Sequence, residues 1–259
     1  MSSRKEQREQ ARAERLAQEQ AAEAAHKRKQ RLWLLGGIAA LAVVIVVAIV
    51  AISSGGSDNA SNGGGVDGKA DIKVMLAGVP QQGQFVGDPQ AKVTMIEFAD
   101  LQCPFCKEFA DNVTPRLIQD YVRTKKLRIQ FQPLTFIGPD SEKAARYAIA
   151  SGGQNKLWNF VELFYRNQGT ENTGYVTTDF IHKIGAAAGV NQSQADAATG
   201  TAATTAALAK ADLLAQRNGV TSTPSFLIGK TGGTLVRFSP SALEPKVFTD
   251  RIDQALAGQ

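Results

Sequence analysis

Both cysteines of this 259-residue chain fall in one tetrapeptide, Cys103-Pro104-Phe105-Cys106, and its flanks restrict what can be built around it. The run before it, Val93-Thr94-Met95-Ile96-Glu97-Phe98, is rich in β-branched and aromatic residues and reads as a strand. The run from Pro104 through Tyr121 reads as a helix. The pair therefore belongs at a strand-to-helix turn, with Cys103 at or near the helix N-cap. Residues three apart on a first helical turn share one face, and their separation suits a disulfide. Unpaired N–H groups and the positive end of the helix dipole both favour a thiolate there, which predicts a low pKa and a reactive sulfur at Cys103. Pro104 fits the first helical position, where a missing N–H costs nothing.

A Cys-x-x-Cys pair can also be half of a zinc site, but zinc takes about four ligands. The chain has two cysteines and two histidines, His26 and His182. No metal site is expected. The competing reading is a pair of buried structural thiols or a static local disulfide; a strand before and a helix after favour redox chemistry.

The net charge of +5 is uneven: residues 1–31 carry nine Lys/Arg against five Glu, a net +4. The basic character thus belongs to a tail and does not argue for a nucleic-acid-binding domain. From Leu32 to Ile52 no residue is charged or strongly polar. As a helix this run spans about 31 Å, the thickness of a bilayer core. Lys27, Arg28, Lys29 and Arg31 abut its N-terminal end and Ser53-Ser54-Gly55-Gly56 follows it. By the positive-inside rule the tail is cytoplasmic and everything after Ile52 lies outside. A cleaved signal peptide is the alternative; the length of the apolar run and of the leader favour a retained single-pass anchor. Residues 53–70 read as a flexible Gly/Ser/Asn linker.

Globular composition begins near Asp71 and is expected to continue to residue 259. Residues 104–123 read as a helix kinked at Pro115, and Leu127–Leu134 as a second strand. A helical block follows over about 140–219, containing Ser141–Ala150, Leu157–Arg166, Thr178–Ala188 and an Ala-rich run to Arg217. After Thr223-Pro224 come strands Ser225–Ile228 and Thr234–Phe238, and a closing helix near Leu243–Leu256. An α/β unit interrupted by a helical block is the expected architecture.

The segments GDPQAKVTMIEFADLQCPFC and GVTSTPSFLIG, with the helices between them, resemble the DsbA-like thiol:disulfide oxidoreductases, close to the membrane-anchored type of Gram-positive bacteria. The resemblance covers about residues 79–256. It implies a thioredoxin fold with an inserted helical subdomain, preceded here by the single transmembrane helix. Cys103 then matches the exposed nucleophilic cysteine and Cys106 the buried resolving one. Thr223-Pro224 matches the loop whose cis-proline lies against the active-site disulfide, leaving the Thr223 backbone free to pair with an extended substrate. An ordinary trans turn is the alternative. Glu97 matches a buried acid beneath the active site. Strand alternation independently turns it away from Ile96 and Phe98, and a buried carboxyl of raised pKa suits proton transfer to Cys106. The alternative for Glu97 is an exposed acid in an ordinary ion pair.

The sequence departs from the family at Phe105, where the best-known members carry histidine. Phe105 cannot donate a hydrogen bond or carry charge, so a less oxidising couple is expected. An exposed Phe105 is suited to contact apolar substrate segments or a redox partner. The resemblance implies disulfide transfer to exported cysteine-containing proteins, reoxidation by a membrane redox partner, and no bound cofactor. A reductase or isomerase fed from the membrane, or a tethered module without turnover, are the competing functions.

Overall fold

Every residue of the strand Val93–Ala99 is buried on both faces. Such a strand can only be central, and its β-branched and aromatic content suits that position. In the computed structural model, which describes residues 65–258, it is β3 of a six-stranded sheet ordered β1-β2-β4-β3-β5-β6. The elements run α1 (Lys69–Leu76), β1 (Gln81–Gln82), β2 (Phe85–Val86), β3, α2 (Pro104–Asn112), α3 (Thr114–Leu117), a π-helical turn (Ile118–Val122) and β4 (Leu127–Pro133). There follow α4 (Pro139–Gly152), α5 (Leu157–Arg166), α6 (Thr178–Ala188), α7 (Gln192–Thr199) and α8 (Ala202–Arg217). The chain closes with β5 (Ser225–Lys230), β6 (Val236–Phe238) and α9 (Pro245–Ala257). β3 pairs in parallel with β4 and antiparallel with β5. This is the expected thioredoxin fold, with the block α4–α8 entering between β4 and β5.

The two faces of β3 carry different loads. Ile96 and Phe98 face a smaller cluster with Leu134, Leu227, Val220 and Ala215, the last from α8. Val93, Met95 and Ala99 face the main core with Phe109, Phe226, Phe248 and Trp158. Phe109 of α2 meets Phe226 of β5 at 4.8 Å and Phe248 of α9 at 5.0 Å between ring centroids. Aromatic pairs of this kind add about 0.5–1.5 kcal/mol each beyond area burial, and they fix the cysteine-bearing helix against the sheet.

Several boundaries differ from the sequence expectation. The helix expected over 104–123 is three pieces: Pro115 supplies no N–H, and the backbone at Val113 leaves the regular helix before the short α3 begins. The Ala-rich run is two helices, α7 and α8, because Thr201 caps a new N-terminus by accepting from Thr204 N. The last strand is shorter than Thr234–Phe238. The folded unit also starts earlier than Asp71: Val66 packs on the core, Asp67 exchanges two hydrogen bonds with Asn167, and Lys69 opens α1. The tail 1–31, the apolar run 32–52 and the linker up to residue 64 lie outside the described residues. Among the described residues no helix is long and apolar enough to cross a membrane.

Candidate active site

Cys103 is the N-cap of α2, with extended backbone (φ −71°, ψ 122°) and Pro104 in the first turn. The turn that presents it is tied down by both halves of the fold. Cys103 N donates to Asp100 O at 3.0 Å, and Asp100 accepts from Gln102 N at 2.8 Å and Ile137 N at 3.1 Å. From the helical block, Gln168 Nε2 donates to Leu101 O at 2.8 Å and Cys103 O at 3.1 Å. Tyr165 donates its hydroxyl to Asp100 O at 3.2 Å. The inserted helices thus clamp the backbone of the cysteine turn.

Both cysteines are free thiols. The Cys103 thiol donates to Thr223 O at 3.4 Å. The Thr223-Pro224 peptide bond is cis. A hydrogen bond from Cys106 pulls the Cys103 pKa down to about 6; burial opposes this, and Thr223 and the backbone N–H groups at the helix start assist it. Cys106 is driven the other way, well above the usual thiol value, first by burial and then by its partner sulfur and by Glu97. One sulfur is therefore a stable thiolate near neutral pH while the other holds its proton. Such polarisation suits a pair in which one sulfur attacks or is attacked and the other leaves or resolves.

Cys103 is less open than the family resemblance implies, at 5% exposure. Its sulfur lies against the Thr223 carbonyl. Phe105, at 60% exposure, projects into solvent beside it. Phe105, Thr223, Pro224, Arg237, Phe238 and Leu243 line a groove of about 300 Å³ alongside.

Glu97 lies deeper. It pairs with Phe131 on one side and Phe226 on the other and is 2% exposed. The exposed ion-paired alternative therefore does not describe it. Burial raises its pKa to about 8, and its charge is felt at Cys106. The structure gathers Cys103, Cys106, Phe105, Thr223 and Pro224 at one end of the sheet and sets Glu97 beneath them. Sequence reasoning did not single out Glu162 on α5, a second buried acid coupled to Glu97. Its signal was available: an acid one turn after Trp158, among Val161, Leu163 and Phe164, is out of place on an apolar stripe.

The thioredoxin family profile matches residues 80–234. The probable disulfide bond formation protein D of Bacillus cereus is 33% identical over 103 residues, covering 39% of this chain and 48% of that protein. The chain thus spans about half the length of the curated relative it matches. A thioredoxin-like oxidoreductase from Silicibacter pomeroyi superposes with a TM-score of 0.54 at 25% identity, covering 67% of this chain and 91% of that one. Oxidised BdbD from Bacillus subtilis shares the fold, with a TM-score of 0.59 at 19% identity over 70% of this chain and 98% of that one. The matched profile spans more than half of the sequence and contains every residue of the cysteine site, and the chain belongs to the thioredoxin family.

Proposed function

We propose that the chain is a membrane-anchored, extracytoplasmic thiol:disulfide oxidoreductase that introduces disulfides into exported proteins. The observation that carries this is the polarised sulfur pair: Cys103 held near pKa 6 at a helix N-cap against the Thr223 carbonyl, Cys106 buried and held protonated. The likeness to disulfide bond formation protein D supports the same chemistry.

In the oxidised enzyme a substrate thiolate attacks the Cys103 sulfur. The Cys103–Cys106 bond breaks, and Cys106 leaves and takes a proton, with Glu97 as the nearby buried donor. A second substrate thiolate then attacks its own partner in the mixed disulfide and releases Cys103 as a thiolate. Two electrons have passed from the substrate dithiol to the enzyme pair. The Thr223 backbone offers an extended substrate segment a strand-like partner beside Pro224, and exposed Phe105 offers apolar contact. Residues 32–52 are the anchor, residues 1–31 the cytoplasmic tail and 53–64 the tether. A membrane redox partner reoxidises the pair, and no cofactor is required.

The test is to mix the oxidised full chain with a reduced, unfolded protein of several cysteines. Disulfides should appear in the substrate, and Cys103→Ser should abolish the transfer. Equal transfer by that variant would overturn the proposal. A couple near DsbA's roughly −120 mV fits oxidation, whereas one near thioredoxin's roughly −270 mV would reverse the direction to reduction.

A further inference from the structure

Residues 165–172, the end of α5 and the start of its connection to α6, reach every residue of the turn that presents Cys103. Tyr165 donates its hydroxyl to Asp100 O at 3.2 Å. Gln168 Nε2 donates to Leu101 O at 2.8 Å and to Cys103 O at 3.1 Å. Asn172 N donates to Gln102 Oε1 at 2.9 Å. In the other direction, Gln102 Nε2 donates to Ser141 Oγ of α4 at 3.0 Å, and Lys107 Nζ of α2 donates to Tyr165 O at 2.9 Å. The turn residues Asp100–Cys103 are all buried.

Gln168 has a particular place in this contact. A glutamine amide has two N–H donors, and here they meet one carbonyl on each side of Gln102. Leu101 O has no other hydrogen-bond partner among the described residues. Cys103 O also accepts from Lys107 N at 3.1 Å, the first backbone bond of α2. The amide therefore holds the carbonyl that opens the helix, on the residue whose sulfur reacts. The Cys103 side chain does not cap α2. This geometry belongs to the dithiol form, since both cysteines are free. In that form no covalent bond joins Cys103 to Cys106, and the turn keeps its shape through hydrogen bonds and packing alone. In the disulfide form the sulfur–sulfur bond closes the same turn covalently.

We infer that Gln168 is a positioning residue for disulfide exchange: its amide holds the Leu101 and Cys103 carbonyls, so that the Cys103 sulfur stays at the start of α2, against Thr223, once the bond to Cys106 is broken. The inference deepens the oxidoreductase reading and rests on it. A substrate thiolate attacks Cys103, the Cys103–Cys106 bond breaks, and Cys106 leaves with the electron pair. Cys103 is later released from the mixed disulfide as a thiolate. Gln168 gains and loses no proton or electron in these steps. It restricts the freed turn, so that the thiolate forms where the N–H groups and positive dipole end of α2 already point. Without this amide the reduced form is less stabilised, whereas the oxidised form is still held by its own disulfide. Gln168 thus biases the couple toward oxidising its substrates.

The test compares the full wild-type chain with Gln168→Met, which keeps the length and loses both donors, and with Gln168→Glu, which keeps the shape and loses them on ionisation. For Gln168→Met the equilibrium with glutathione should move about tenfold toward the enzyme disulfide, a shift of about 30 mV. The midpoint of Cys103 alkylation by iodoacetamide should rise. Thermal unfolding should show a larger loss of Tm in the reduced chain than in the oxidised one. Gln168→Glu should move all three readouts the same way at pH 8, at least as far. Equal losses of Tm in both redox states, with equilibrium and midpoint unchanged, would make Gln168 merely structural and overturn the inference. A shift in Gln168→Met that is absent in Gln168→Glu would assign the effect to packing and overturn it too. If neither variant folds, the wild type decides by NMR. Both side-chain amide hydrogens of Gln168 should exchange slowly with solvent in the reduced chain, and free exchange of either one ends the inference. Wild type that does not exchange with glutathione at all would instead overturn the oxidoreductase reading, whatever the protection of the Gln168 amide.

Discussion

The carbonyl oxygen of Thr223 stands 3.4 Å from the sulfur of Cys103, across 120 residues of sequence. The carbonyl accepts from the protonated thiol, while the side chain of the same threonine lowers that thiol's pKa. That thiol's acidity comes first from Cys106 and only secondarily from the Thr223 side chain and the backbone N–H groups of Cys106 and Phe105 at the helix start. This ordering makes Cys106 a determinant of its partner's acidity.

Cys106→Ala should therefore raise the Cys103 pKa from about 6 toward the ordinary value of 9.0. Cys106→Ser should raise it less, because a hydroxyl still donates. Alkylation of Cys103 by iodoacetamide as a function of pH reads the midpoint directly, since only the thiolate reacts. A midpoint unchanged in the Ala variant would show that the helix terminus alone sets the acidity.

Glu97→Gln should change how stability depends on pH. The folded chain keeps the Glu97 proton up to about pH 8, whereas the unfolded chain releases it near 4.5. Between those values unfolding releases a proton, so rising pH drives it. The contribution of protonated Glu97 is fully present below 4.5 and is lost as pH rises through 8. The variant and the wild type should unfold alike at pH 4. By pH 7 the variant should be the more stable by roughly 3 kcal/mol, at about 1.4 kcal/mol per pH unit. Denaturant unfolding of the two reduced chains at several pH values measures the gap, and using the difference cancels the titration of Cys103. Parallel profiles would mean that Glu97 is ionised in the folded chain.

A packing contact far from the sulfurs offers a separate check. A methyl group added at Gly185 on α6 would meet the Tyr147 hydroxyl at 2.5 Å. That hydroxyl is buried and has no hydrogen-bond partner among the described residues. Gly185→Ala should cost about 1–3 kcal/mol through overpacking. Tyr147→Phe should be neutral or stabilising, because it removes an unsatisfied buried polar group, and it should recover part of the Gly185→Ala loss. Thermal unfolding of the two single variants and the double variant measures the coupling.

What the sequence made legible follows physical rules with long reach. Leu157–Arg166 and Thr178–Ala188 were read with the bounds that the structure has, because their apolar spacing and flanking polar residues are unambiguous. The strand before Cys103 was equally clear. β1 and β2 were missed because strands of two residues, Gln81–Gln82 and Phe85–Val86, have no period to detect. They depend on long-range partners: Phe85 pairs with Gln130, and Gly87, at φ +108°, comes so close to Leu127 O that no side chain fits. α1 was hidden by the Gly-rich stretch before it. In the site, residue types chosen by chemistry were visible, whereas Glu162 was not, because an acid in a helix reads by default as solvent-facing. Only the fold turns that face inward.

Phe105 tests whether the dipeptide between the cysteines sets the redox poise. Its ring is 60% exposed, so replacing it should alter stability by no more than about 0.5 kcal/mol. Histidine at this position adds a donor and, when protonated, a positive charge beside the Cys103 thiolate. Both stabilise the reduced form relative to the disulfide. Phe105→His should lower the Cys103 pKa below about 6 and shift the couple to a more oxidising potential. Equilibration with glutathione at fixed pH gives the potential, and each 30 mV corresponds to about 1.4 kcal/mol. The shift should shrink as pH rises and the introduced imidazole loses its proton near its ordinary value of about 6.5. A shift that persists unchanged at high pH would assign the effect to the ring's hydrogen bond. No shift at all would mean that Cys106 and the helix terminus already saturate the stabilisation of the thiolate.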